Sequence, residues 1–411
     1  MKRRQFLAAG ALLGAGAAVD RVAGGGPSDA VAAPAPAADG SGLRTRIPFE
    51  GPHQAGILTP RPPQAIFVAL DAITESRSEL AEGLRALSER ARLLTAGHHA
   101  LLGSPGEGPT PETGVLGPLA PPDALTVTVG LGASLFDRRF GLGDRRPSGL
   151  TAMPAFPDDD LDPAACHGDV LLQLCANSSE TLLNALRDLL RATRPVLAPR
   201  WKVEGFLPDP AREAGAGRNL LGFKDGTANP DVGDRRLMDR LVWTGRGDGP
   251  AWTVGGTFAA VRVIRNRVEF WDRVSRDEQE LMIGRDKARG APLGRRREAD
   301  DPGYASDPKG ERIPLDAHIR LARPRTPATE GERILRRSYN YSRGIDPAGQ
   351  LDMGLAFACF QRDLDRQFGA IQRRLAGEPL IDYVRPTGGG YFFLPPGAAD
   401  PQDWVGSGLF V

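Results

Sequence analysis

The hydrophobic pattern falls into two series of short apolar runs that repeat the same order of periods. From Gln64 to Ala72, Ile66, Val68 and Leu70 predict a strand, and Leu80, Leu84, Leu87, Ala91 and Leu94 then recur at helical spacing. A period-2 strand follows at Leu125, Val127, Val129 and Leu131, and the continuous apolar run 170–174 predicts a buried strand. Ser178 and Ser179 can cap a helix that carries Leu182, Leu183, Leu186 and Leu190, and 195–206 reads as extended. The order is β-α-β-β-α-β.

The second series repeats it. Residues 257–263 alternate as a strand, 268–283 read as one helix, and strands are predicted around 339–342 and 355–361. Leu364, Phe368, Ile371 and Leu375 share one helical face before a last strand at 391–394. Each series fits a ferredoxin-like βαββαβ unit, so the expected class is α+β with two such domains and antiparallel sheets. The boundary is placed near Ala214, giving domains 44–214 and 215–411. The second copy carries a long insertion, about 286–337, and insertions of that length inside a compact domain are usually functional.

The first 43 residues do not belong to either series. Lys2, Arg3 and Arg4 precede an apolar run from Leu7 to Val19, and small residues around Ala30, Ala32 and Ala33 offer cleavage positions. That order describes an export signal, and the paired arginines with Phe6-Leu7 resemble the twin-arginine type. A Sec signal or uncleaved anchor is the alternative, and the run is too short for a stable transmembrane helix. The Ala-, Pro- and Gly-rich residues up to about 43 read as a disordered linker.

Charge narrows the partners. Lys+Arg 52 against Asp+Glu 51 leaves a net charge of +1, which supplies no basic field for nucleic acid or an anionic membrane. Lysine occurs only at 2, 202, 224, 287 and 309, so nearly every cation is arginine and a single arginine is a weak signal. Three cysteines, Cys166, Cys175 and Cys359, leave one over from any pair, and no structural disulfide is expected. Five histidines exclude a multi-zinc protein but leave room for a site resting on one imidazole.

His53 sits in a polar turn, His98-His99 reads as the end of a helix, and His167 follows Cys166 without a second ligand pair; structural roles are favoured for all four. His318 differs. It lies in an alternating stretch, 313–322, where odd positions are apolar and His318 shares the other face with Asp316 and Arg320. Arg320, Arg323, Arg325, Arg336 and Arg337 cluster in the same insertion. One imidazole among guanidinium groups suits a haem, with nitrogen for the iron and cations for the propionates. The second constellation is GFKDGTANP at 222–230, a tight loop whose small residues Gly226, Thr227 and Ala228 let backbone approach a flat ligand beside Asp225.

Together GFKDGTANP at 222–230, DAHIRLARPR at 316–325 and ILRRSYNY at 334–341 resemble the dye-decolorizing peroxidases. The likeness is closest to their twin-arginine-exported, iron-uptake-associated branch, and runs from about Pro48 to the end through HQAGI, CHGDVLLQ and GGGYFF. The resemblance implies two ferredoxin-like domains with haem b in the C-terminal one. His318 would be the proximal iron ligand, and Asp225 and Arg336 the catalytic pair on the peroxide-binding face. Gly226, Thr227 and Ala228 would line that face, and Arg323, Pro324 and Arg325 would contact the macrocycle or its propionates. Asp382, in LIDYVRPTG at 380–388, would accept the Nδ1 hydrogen bond of His318. Some relatives have Asn two positions after the distal Arg, where this chain has Ser338.

The implied activity is oxidation of dyes, phenols or other organic donors by hydrogen peroxide, with an acid-side optimum and surface Tyr or Trp relays for bulky donors. The implied setting is the periplasm, the cell envelope or outside the cell, as a homodimer associated with iron uptake. Three alternatives remain at this level: release of iron from haem with the porphyrin intact, a non-enzymatic haem carrier or sensor, and a metal-free interaction scaffold.

Overall fold

The computed structural model describes residues 42–100, 108 and 110–411; most of the segment read as export signal and linker lies outside the described residues. The first series forms β1 (Gln64–Ala72), α1 (Arg77–Ala96), β2 (Thr126–Gly132), β3 (Val170–Ala176), α2 (Ser179–Thr193) and β4 (Leu197–Phe206). Serine starts α1: Ser76 Oγ accepts from the Glu79 N–H, satisfying one of the orphan donors of the first turn. Its apolar stripe, Leu80, Leu84, Leu87, Ala91 and Leu94, is buried against Ile66, Val68 and Leu70 of β1. On α2, Leu182, Ala185, Leu186 and Leu189 do the same at i, i+3, i+4 and i+7. Each fully buried leucine contributes about 1.5–3 kcal/mol.

The second series gives β5 (Thr257–Asn266), β6 (Tyr339–Ile345), β7 (Leu351–Gln361) and β8 (Val384–Leu394). The single helix expected over 268–283 is two: Val268–Trp271, then α3 (Arg276–Ile283), which restarts where Ser275 caps Glu278. The alternation around His318 is not a strand either; it contains the short helix α4 (His318–Ala322), which periodicity over ten residues did not resolve. A widened turn, Leu364–Gly369, runs into α5 (Ala370–Leu375). The helix expected to end in His98-His99 stops at Ala96, and both histidines pair instead with Leu119-Ala120 as a small ribbon.

The strand order is β2-β3-β1-β4 in the first half and β6-β7-β5-β8 in the second, both antiparallel and both the ferredoxin-like order. The two sheets join at both edges, β4 meeting β6 at Phe206 and Asn340, and β8 meeting β2 at Phe392-Phe393 and Gly132-Leu131. The closed ring leaves none of the eight strands with a free edge over its whole length. Close approach at the first seam needs Gly205, where a Cβ would lie 2.6 Å from that of Tyr339. The inward faces make one core from both halves, including Phe67, Trp201, Val261, Tyr339, Ala358 and Phe392. Cys166, Cys175 and Cys359 are buried free thiols.

The outward faces differ. In the first half α1 and α2 cover the sheet tightly, whereas in the second the insertion and helices stand off β5, β7 and β8. The gap is partly closed by a strap from the first half, where Asp160 and Asp162 donate backbone hydrogen bonds to Pro386 and Thr387 at 3.0 and 2.9 Å. Its anchor is an ion pair between Asp159 and Arg262, which is 1 % exposed on β5. Removing one partner strands a buried charge, so Arg262→Leu is expected to lower the unfolding free energy by about 3–5 kcal/mol in urea denaturation. Arg262→Leu with Asp159→Leu should lose less than the single change; an equal or larger loss would show that the stranded charge is not the cause.

Candidate active site

The gap encloses a cavity of about 290 Å³. Its floor is the outward face of the second sheet, with Ile264, Leu355, Phe357 and Val384, and its sides include Phe368, Ile371 and Leu380. Of the five histidines only His318 lines it. His53 is instead stacked on Trp243 with its Nδ1 on the Gly255 carbonyl, His98 is paired with Glu112, and His167 has left-handed backbone at φ 62°.

His318 opens α4, and two features hold that helix. Asp307 accepts the N–H groups of Glu311, Arg312 and Ile313, shaping the turn before it. Arg320 then donates to the carbonyls of Asp307 and Ile313 at 2.8 and 2.9 Å. The imidazole Nδ1 meets Glu378 Oε2 at 2.8 Å, and the carboxylate is 6 % exposed against 32 % for the histidine side chain. Burial works against the charged imidazole, but the Glu378 carboxylate outweighs it, and the His318 pKa lies above the ordinary value. With Nδ1 engaged, Nε2 is the nitrogen left for a ligand.

Glu378 corrects the expectation for Asp382. Glu378 stands at the start of the short 3-10 turn Pro379–Asp382 without capping it, and its side chain is instead buried at the cavity on His318. Asp382 ends that turn and is exposed. The motif resemblance pointed to Asp382 alone; the packing of this turn puts Glu378, four residues earlier, on the imidazole.

Asp225 and Arg336 are brought together: Nη1 of the arginine donates to Asp225 Oδ1 at 2.6 Å. Two contacts fix them. Asn229 takes the Arg336 N–H at 3.1 Å and donates to its carbonyl at 2.7 Å, bolting the 222–230 loop to the chain entering β6. The Asp225 N–H donates to the Gly217 carbonyl at 2.8 Å. Gly226 follows at φ 109°, a conformation closed to most side chains. Gly226, Thr227 and Ala228 all line the cavity.

Glu298, absent from the sequence reading, holds this loop from the insertion. It accepts from Thr227 Oγ1 at 2.7 Å, Lys224 Nζ at 2.9 Å and the Ala216 N–H at 3.2 Å. The lysine of the GFKDGTANP motif was the available signal, since a half-buried ammonium needs a carboxylate. The Thr227 hydroxyl is thereby turned to Glu298.

Arg323 and Arg325 line the cavity, but Pro324 between them does not. The chain is extended at Arg323 and turns left-handed at Arg325, φ 59°, so alternate side chains face the space. Arg333, Arg374 and Arg285 join them. The Nε groups of Arg323 and Arg333 are buried without a hydrogen-bond partner. An apolar slot with one imidazole and unsatisfied guanidinium donors fits a flat macrocycle bearing carboxylates, as in haem.

Comparison with known proteins agrees with this geometry. The family models for Dyp-type peroxidase, N-terminal and C-terminal, match residues 54–207 and 216–399. A deferrochelatase of Escherichia coli O157:H7 is 51% identical over 371 residues, covering 88% of this chain and 86% of its own. One from Shigella sonnei is 50% identical with the same coverage. A DyP-type peroxidase structure from Cellulomonas bogoriensis superposes with TM-score 0.80 at 39% identity, over 90% of this chain and 99% of that one. Ferric DtpA from Streptomyces lividans gives 0.79 at 35%, over 89% and 97%. The chain belongs to the Dyp-type peroxidase family.

Proposed function

We propose that the chain carries haem b in this cavity and uses hydrogen peroxide to oxidise organic donors such as dyes and phenols, with Asp225 and Arg336 as its catalytic residues. Membership of the family makes it a haem-binding oxidoreductase that takes peroxide and an electron donor. The observation that carries the residue assignment is that one cavity receives both the His318–Glu378 and the Asp225–Arg336 pairs.

The haem, when bound, supplies the iron and the two-electron reduction of peroxide. His318 offers the Nε2 lone pair, and Glu378 makes that nitrogen more electron-rich by drawing on the Nδ1 proton. Arg323, Arg325 and Arg333 supply cations for the propionates. Asp225 Oδ1 is occupied by Arg336, leaving Oδ2 to take the first proton of hydrogen peroxide and return it to the departing oxygen. Arg336 keeps its charge at any working pH and offsets negative charge on that oxygen. The apolar walls exclude bulk water from these transfers.

A second reading, removal of iron from haem with the porphyrin left whole, is favoured by the deferrochelatases at about half identity. The same pocket would serve it, and free protoporphyrin after incubation without peroxide separates the two. Export by a twin-arginine signal to the periplasm or cell envelope belongs to the same proposal, supported by the N-terminal pattern, and association with iron uptake and a homodimeric state join it on the family resemblance alone.

His318→Ala should abolish the Soret band and peroxide turnover, while Asp225→Asn should keep the band and slow turnover about 10²–10⁴-fold. Equal haem content and rate in wild type and His318→Ala would overturn the ligand assignment. The raised pKa of His318 adds a pH dependence. In the haem-free protein the imidazolium–Glu378 pair stabilises the fold fully below the unfolded value of about 6.5, and that contribution is lost as pH rises through the raised folded value. Haem needs the deprotonated Nε2, so uptake in a haem titration should be weaker at about pH 5 than at about pH 8. Glu378→Gln should move this dependence to lower pH, and an identical profile would contradict the pairing.

A further inference from the structure

The insertion holds a second group of arginines, outside the main cavity, around the turn 302–306. Pro302 and Tyr304 of this turn line the cavity, whereas Arg295 and Arg312 do not. Both arginines are seated on glycines with left-handed backbone. Arg312 lies over Gly294, φ 76°, where a Cβ would collide with its Cδ. Arg295 lies over Gly303, φ 72°, where a Cβ would collide with its Nη2. Two seats that only glycine leaves open hold the guanidinium groups at one turn. Neither has a counter-charge. Both Nε groups are buried without a hydrogen-bond partner, and among the described residues the Arg295 side chain makes no hydrogen bond. Arg312 makes only long contacts, 3.4 Å to the Pro302 and Gly303 carbonyls and 3.5 Å to Ser306 Oγ. The carboxylates nearby are engaged elsewhere. Asp301 takes Arg325 and the Gly303 N–H, Asp307 takes Arg320 and three backbone N–H groups, and Asp300 takes the N–H groups of Arg296 and Arg297. The exposed Glu311 makes no ion pair among the described residues. Arg320, stacked on the Tyr304 ring at 5.0 Å, adds a third cation to the turn. The chain as a whole carries a net charge of only +1, so this surplus is local. Guanidinium donors fixed in place and left unmet on one turn describe a site for an oxyanion.

We propose that Arg295 and Arg312 bind the carboxylate or sulfonate of an aromatic electron donor and hold its ring against the turn 302–306. The use of the site by a donor rests on the peroxidase reading, whereas the anion site itself stands on the geometry. The turn has the cavity on one side and the two arginines on the other. A donor held there has only this turn between itself and the haem, and gives its electron without entering the cavity. Each donor loses one electron. Two such losses, with two protons from the donors or from solvent, match the conversion of one hydrogen peroxide into two waters. The site selects by charge: of two donors with the same ring, the anionic one binds better.

The test uses the haem-loaded full-length protein, with the Soret band as the check that each variant still folds around haem. Calorimetric titration with 2-naphthalenesulfonate needs no peroxide and should show one site. The uncharged 2-naphthalenemethanol, with the same ring, should bind about tenfold more weakly or less. Arg295→Gln and Arg312→Gln should each weaken the sulfonate by about tenfold, the worth of one charge-assisted hydrogen bond. With peroxide present, kcat/KM for 4-hydroxyphenylacetate is compared with that for tyrosol, the alcohol of the same phenol. The ratio of the two should fall by about tenfold in each variant, through KM rather than kcat. Equal sulfonate affinity in wild type and both variants would overturn the site. Inorganic sulfate binding as tightly as 2-naphthalenesulfonate, or an unchanged ratio of the two phenols, would overturn its assignment to a donor. Selective sulfonate binding in a protein inert to peroxide would leave the anion site standing and remove the peroxidase reading instead, and the donor with it.

Discussion

A charge taken out of water must be met by an opposite charge or by hydrogen bonds, and around this cavity each such debt fixes a piece of chain. Glu378 and His318 tie the turn before β8 to α4. Asp225 and Arg336 tie the 222–230 loop to the chain entering β6. Lys224 and Glu298 tie that same loop to the insertion, and Arg262 with Asp159 ties the first half's strap to β5. Four ion pairs draw together segments distant in sequence, each segment bringing half of a pair. Arg323 and Arg333 share the half-exposed Glu330 through their Nη groups, and at the cavity wall their buried Nε groups lack partners. Unmet donors at the wall of an apolar slot describe the ligand by its complement.

The closed double sheet explains why the site lies where it does. Joining the two sheets at both edges uses their inward faces for one shared core. Only the outward faces remain for function, and α1 and α2 have filled the first. The second is covered by short helices and a long insertion, elements too irregular to pack a continuous stripe, and the space they leave is the cavity. Two copies of one topology thus divide into a structural half and a half that houses the site.

Much of this was legible in the hydrophobic pattern, and the limits are physical. All eight ring strands, α1 and α2 follow from periods that local side-chain spacing determines. The closing seams do not: only one or two residue pairs make each, and nothing in Phe206 or Phe393 announces a partner more than a hundred residues away. His318 was legible as the single imidazole in an arginine-rich insertion, but its helix was not, because five residues hold too little periodicity. Asp382 was named on motif resemblance and Glu378 was not considered; a short 3-10 turn places the Glu378 carboxylate inside and leaves Asp382 in solvent. Glu298 and Asn229 escaped for a related reason: their work is to hold other residues, and such contacts are long-range.

The proximal pair is the claim on which both the haem assignment and the chemistry rest. It is tested most directly by the iron–imidazole stretching frequency of the ferrous haem protein, measured by resonance Raman in wild type and Glu378→Gln. A carboxylate on Nδ1 strengthens the bond from Nε2 to iron, so the frequency should fall in the variant and stay unchanged in Asp382→Asn. An unchanged frequency in Glu378→Gln, or a fall in Asp382→Asn, would contradict the pairing of His318 with Glu378.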